Sequence, residues 1–120
     1  DVVACAEGRL VVLELKSSPP KHLHEDEVAA FVQRTRALRP HVAIFAMDTA
    51  LRLEDKVLPM LCAHARAPGG PELRPRRVTG ELFALTPHAY LVNARPSLML
   101  NLGRAIAEGF AALAPDPFGG

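Results

Sequence analysis

Two short apolar runs, Leu10-Val11-Val12-Leu13 and Val42-Ala43-Ile44-Phe45-Ala46-Met47, stand on either side of a segment with helical periodicity. No other feature constrains the fold as much. Short apolar runs without polar alternation belong to strands covered on both faces. From His24 onward Val28, Phe31, Val32, Thr35 and Leu38 recur at helical steps, which places them on one face of a helix. Glu25, Asp26 and Glu27 fall in its first turn, and Arg34, Arg36 and Arg39 load its far end. Both charges complement the helix dipole, and Pro40 closes the segment. A strand–helix–strand unit from Arg9 to Met47 requires parallel pairing through a right-handed crossover.

The remaining elements complete an α/β pattern. Residues Asp1 to Ala6 form a first strand, Glu7-Gly8-Arg9 turns the chain, and Arg9 to Lys16 runs back beside it, so the sheet is mixed. Ser17-Ser18-Pro19-Pro20 stops that strand. A second helix is expected from about Leu53-Glu54-Asp55 to Ala65, with Val57, Leu58, Leu61 and Cys62 on its apolar face. Pro59 inside it calls for a kink or a late start. Ala67 to Pro75 reads as loop, and Arg77–Leu85 and Ala89–Asn93 as strands joined by Thr86-Pro87-His88. Ser97 caps a last helix with the stripe Leu98, Leu102, Ile106, Phe110 and Leu113; Gly103 and Gly109 weaken it slightly. The expectation is one α/β domain over residues 1–114, a mixed central β-sheet flanked by helices, excised from a longer chain and followed by a frayed tail at 115–120.

Composition narrows the function classes. At 120 residues and 49% hydrophobic, the chain is globular and long enough for one real core. Its formal net charge of +1 lacks the basic excess of a dedicated nucleic-acid binder, although an acidic nuclease site would itself lower the total. Cys5 and Cys62 both sit among apolar residues and read as buried free thiols of a reducing, cytoplasmic compartment. No stretch approaches the ~20 apolar residues of a membrane span, and no signal-peptide pattern occurs. Cys62-Ala63-His64 lacks a second ligand pair, which argues against zinc. Phosphate-binding glycine loops and serine-hydrolase elbows are missing.

Chemistry concentrates at Glu14-Leu15-Lys16, where the second strand ends. Alternation along a strand puts Glu14 and Lys16 side by side, and pairing across the opening turn brings Asp1 toward them. Two carboxylates and an amine can hold a divalent cation and position a water next to it. Asp1, twelve intervening residues, and then Glu14-Leu15-Lys16 followed by a helix and a buried strand resemble the core of the PD-(D/E)XK nucleases. The resemblance covers residues 1–48 most closely. It implies a restriction-endonuclease-like core in which Asp1, Glu14 and the Leu15 carbonyl bind Mg²⁺ (or Mn²⁺) and Lys16 orients the attacking water. The implied activity is hydrolysis of nucleic-acid phosphodiesters, with DNA favoured by the resemblance alone, in a homodimer or in a protein with fused additional domains.

Further residues and readings stand beside it. Arg74, Arg76 and Arg77 form the densest basic cluster and are candidates for contact with a nucleic-acid backbone. Asp48 either faces the same edge as Glu14 or serves the turn after its strand. The main rival is a catalytically inactive nuclease-like domain acting as a binding or scaffold module. A third is an all-parallel, doubly wound domain using Asp48 and Thr49, which strand order separates from the others.

Overall fold

The computed structural model describes residues 2–6, 8–17 and 19–113. Six strands and three α-helices follow one another as β1 (Val2–Ala6), β2 (Arg9–Lys16), α1 (Glu25–Leu38), β3 (Val42–Met47), α2 (Val57–Ala65), β4 (Arg76–Thr79), β5 (Leu82–Thr86), β6 (Ala89–Asn93) and α3 (Leu98–Leu113). They form a single sheet in the order β1-β2-β3-β6-β5-β4. Strand β1 is antiparallel to β2, with Val3 opposite Val12. Strands β2, β3 and β6 run parallel, and β4–β5–β6 is an antiparallel meander. The sheet is therefore mixed, and the all-parallel alternative does not hold.

Each face of the sheet carries its own core. On one side Val12, Ala43, Phe45, Met47, Phe83 and Leu91 pack under α1 and α2, which contribute Val28, Phe31 and Leu61. The rings of Phe31 and Phe45 meet edge to face at 5.1 Å, a geometry that suits their quadrupoles. On the other side Val11, Val42, Ile44, Ala84, Tyr90 and Val92 pack under α3, through Ala105 and the stripe Leu102, Ile106, Phe110 and Leu113. All six residues of β3 are buried, as its unbroken apolar run requires.

The helix ends follow local chemistry. The backbone N–H of His24 donates to Glu27 Oε2 at 3.0 Å, half of a capping box. Arg39 ends α1 in the left-handed region at φ 48°. Pro59 resolves as a late start: α2 begins at Val57, so the proline occupies the third helical position, where its missing N–H costs no intrahelical bond. The Ser97 hydroxyl accepts from Leu100 N at 3.2 Å at the start of α3.

Three sequence expectations need correction. The single strand expected over Arg77–Leu85 is two, β4 and β5, folded back at Gly80, whose φ of +50° suits a residue without Cβ; one glycine flanked by strand formers conceals a hairpin. Cys5 is exposed, not buried. It lies on edge strand β1, where Val3 is also 53% exposed, so apolar composition there does not translate into cover. Gly109 is a contact and not merely a weak point of α3: a Cβ built on it would stand 2.6 Å from Val42 Cγ2. The helix approaches the central strand closely only because that position is bare. The expected tail at 115–120 lies outside the described residues.

Two outcomes follow from this packing. Gly109→Ala should lower unfolding stability by about 1–3 kcal/mol in a denaturant titration, since the overpacking penalty exceeds the gain in helix propensity of about 1 kcal/mol. Thiol titration of the native protein should label Cys5 rapidly and Cys62 slowly, because burial, with help from Glu72, pushes the Cys62 thiol above its ordinary pKa.

Candidate active site

The carboxyl ends of the parallel strands β2, β3 and β6 form one edge of the sheet, and polar side chains gather there. On β2 the alternation that sends Val12 into the α1–α2 core sends Glu14 and Lys16 to the same face. Glu14 is only 5% exposed. Such burial of a carboxylate is sustainable only with compensating charge, and two cations supply it. Lys16 Nζ stands 3.3 Å from Glu14 Oε1, and Arg34 Nη1 of α1 stands 3.5 Å from Oε2. Lys16 also reaches Glu27 Oε1 at 3.4 Å. A four-charge cluster with no net charge thus joins the end of β2 to the first turn and the third turn of α1.

The predicted neighbours Glu14 and Lys16 are therefore together, with the Leu15 backbone between them and its side chain 42% exposed. Asp1, the proposed second carboxylate, lies outside the described residues. The last described β1–β2 pair is Val2 with Leu13, so among the described residues Glu14 to Lys16 pair only with β3 on this sheet. The donors here are oxygens, one carboxylate and the Leu15 carbonyl, a set chemically suited to a hard cation that retains several waters. Among the described residues no group of three His, Cys, Asp or Glu side chains is placed to hold a metal.

Sequence reasoning overlooked Glu27 and Arg34 as members of this cluster. They are seven residues apart, two helical turns, and so share the α1 face that also carries Phe31. That spacing was the available signal, masked by reading Glu27 as a dipole residue and Arg34 as a solvated one. Glu27 titrates below its ordinary value of 4.5, chiefly because His24 N–H donates to it; desolvation opposes this, and Lys16 adds to the lowering. A carboxylate with a lowered folded-state pKa stabilises the fold above 4.5, and that contribution fades as pH falls through the lowered value.

Asp48 belongs elsewhere. The ladder continues one residue past β3, with Asp48 N donating to Lys16 O at 2.9 Å, but alternation puts its side chain on the α3 face. There its Oδ1 accepts from Arg95 Nε at 2.7 Å. Beside it buried Asn93 ties three loops together. Its Nδ2 donates to Thr49 O at 2.8 Å and to Glu81 Oε2 at 2.6 Å, and its Oδ1 accepts from Arg95 N at 3.1 Å. Asn101 of α3 donates to the carbonyls of Asn93 and Arg95, both at 2.8 Å.

The basic cluster Arg74, Arg76 and Arg77 does not act as one patch. Arg77, opposite Phe83, turns to the α1–α2 face, where it pairs with Glu54 and lies 4.7 Å from the centroid of Phe83. Arg76, opposite Ala84, turns to the α3 face and stands 3.9 Å from Glu108. Strand β4 is four positions from β2 in the sheet, about 19 Å at the usual strand spacing.

Compared with known proteins, the chain matches no protein-family model, no curated protein and no solved structure. Among the described residues no helix is long and apolar enough to cross a membrane.

Removing one member of the buried cluster tests its energetics. Glu14→Ala leaves Lys16 and Arg34 facing each other and should cost about 1–3 kcal/mol in chemical denaturation, below the full penalty for a deeply buried pair because both cations are partly exposed. Carboxyl NMR titration should find Glu27 changing protonation below pH 4.5, and Lys16→Met should move that midpoint upward.

Proposed function

We propose that this domain is a metal-dependent nuclease with a restriction-endonuclease-like core, hydrolysing nucleic-acid phosphodiesters, DNA in the first instance. The observation that carries the reading is the buried Glu14 carboxylate with the Lys16 ammonium 3.3 Å away, set at the end of a strand that is antiparallel to β1 and parallel to β3. The antiparallel opening hairpin, the parallel return through α1 and the resemblance of Asp1…Glu14-Leu15-Lys16 to the PD-(D/E)XK pattern all support it.

Glu14 and the Leu15 carbonyl, with Asp1 by the same resemblance, would hold Mg²⁺ or Mn²⁺. When bound, such an ion activates water and neutralises charge building on phosphate. Lys16 donates hydrogen bonds to the incoming water and to the phosphate oxygens, stabilising negative charge as it develops. As the attacking water gives up a proton to solvent, a bond forms between its oxygen and phosphorus, the P–O ester bond breaks, and the leaving oxygen takes up a proton. Glu27, 3.4 Å from the Lys16 ammonium, helps to fix where that donor points. Arg34 fixes the Glu14 carboxylate from the helix side.

A second reading has its own support. Both Glu14 oxygens already face cations, as in a structural ion-pair network, which favours a catalytically inactive domain serving as a binding or scaffold module.

Cleavage of plasmid and single-stranded DNA with Mg²⁺ decides between them. The wild type should cut, and Glu14→Gln and Lys16→Ala should each lose about 10²–10⁴-fold in rate while retaining the native circular dichroism spectrum. Activity that survives both substitutions removes these residues from the mechanism. Calorimetry with Mg²⁺ or Mn²⁺ that registers no specific binding selects the scaffold.

A further inference from the structure

Three adjoining cavities run along α3 where it faces the β4–β5 hairpin. The first, about 260 Å³, is lined by Arg95, Arg104 and Glu81. The second, about 360 Å³, shares Thr79, Leu82 and Arg104 with the first and adds Glu108. The third, about 410 Å³, shares Glu108 with the second and adds Arg76 and Arg74. Shared walls make them one groove. From Pro96 to Ala112 it follows seventeen residues of chain, mostly α3, or about 24 Å at the helical rise.

Its charged lining is four arginines against two glutamates. Glu81 already accepts from Asn93, and the Arg76–Glu108 contact is long at 3.9 Å. Arg95, 56% exposed at its side chain, contacts Asp48 through Nε. Arg104 and Arg74 are exposed. Cationic groups thus recur along the groove from the carboxyl edge of the sheet to the far end of α3.

We infer that this groove binds the backbone of a single-stranded nucleic acid. Charge complementarity selects a polyanion, and the elongated form selects an extended one. The cavities lie near the lower end of small-ligand pockets, about 300–1,000 Å³, room for successive nucleotide units but not for a duplex. Tyr90 is the one aromatic residue among the lining of the three cavities, and its hydroxyl is committed to Pro87 O at 2.6 Å. Affinity therefore comes from phosphates rather than stacked bases, and it falls steeply with salt. The Arg95 end opens at the carboxyl edge of the sheet, two strand positions from β2 and on the opposite face from Glu14 and Lys16, so a strand leaving the groove reaches them only by passing around that edge. As a substrate path this rests on the nuclease reading; as a binding groove it does not.

Fluorescence anisotropy of an end-labelled single-stranded 15-mer, recorded in EDTA so that no cleavage occurs, tests it. Arg104→Gln and Arg76→Gln should each weaken binding several-fold and the double variant more than tenfold. The slope of log affinity against log salt should fall by about 0.7 for each arginine removed. Arg52→Gln, outside the groove, should bind as the wild type does. Unchanged binding by the double variant, an equal loss in Arg52→Gln, or equal affinity for a blunt duplex of the same sequence overturns the inference. Loss of binding in the double variant without any Mg²⁺-dependent cleavage sinks the nuclease reading alone. Glu14-dependent cleavage with unchanged binding in the double variant sinks the groove alone.

Discussion

Burial of β3 on both faces is the constraint on which the rest of the structure depends. Its six residues are apolar and fully enclosed, so the sheet must carry helices on both sides, and its two neighbours must pair with it along their length. Parallel pairing to β2 and β6 follows from connections that cross over the sheet through α1 and, on the return, through α2 and the β4–β5 hairpin. Val42 sets the distance to α3 by seating against bare Gly109. Phe45 sets the packing of α1 through Phe31.

Parallel strands bring their carboxyl ends to one edge, and this places the polar chemistry of the chain in two groups separated by the sheet. Glu14, Lys16, Glu27 and Arg34 occupy the α1 face. Asp48, Arg95 and Asn101 occupy the α3 face, and Asn93 at the end of β6 ties the adjoining loops together. The first group is a buried anion balanced by cations from two elements. The second locks the β3–α2, β6–α3 and β4–β5 connections around one amide. An isolated carboxylate at the Glu14 position would be expelled or protonated, so the fold tolerates it only because α1 delivers Arg34 and β2 itself delivers Lys16.

Much of this was legible in the residues. The runs Leu10–Leu13 and Val42–Met47 identify their strands, the three- and four-residue spacing from Val28 identifies α1, and Ser97 with the stripe from Leu98 identifies α3. Glu14 and Lys16 share a face by alternation alone. The Gly80 hairpin escaped because one glycine between two short runs of strand formers looks the same in a bulge, a turn or a strand. Cys5 escaped because cover depends on strand order, and β1 falls at the edge. Arg76 and Arg77 look like one basic patch until the pleat sends them to opposite sides.

The sequence by itself determined local states: which segments become strands and helices, where they stop, and that an acid and an amine stand together at the end of β2. Those outcomes depend on backbone geometry and on interactions a few residues long. Only tertiary structure decided that Arg34 meets Glu14, that Asp48 turns away from it toward Arg95, and that α3 and the β4–β5 hairpin enclose a groove. Each of these joins residues far apart in the chain, and their meeting is set by which face of the sheet each helix covers.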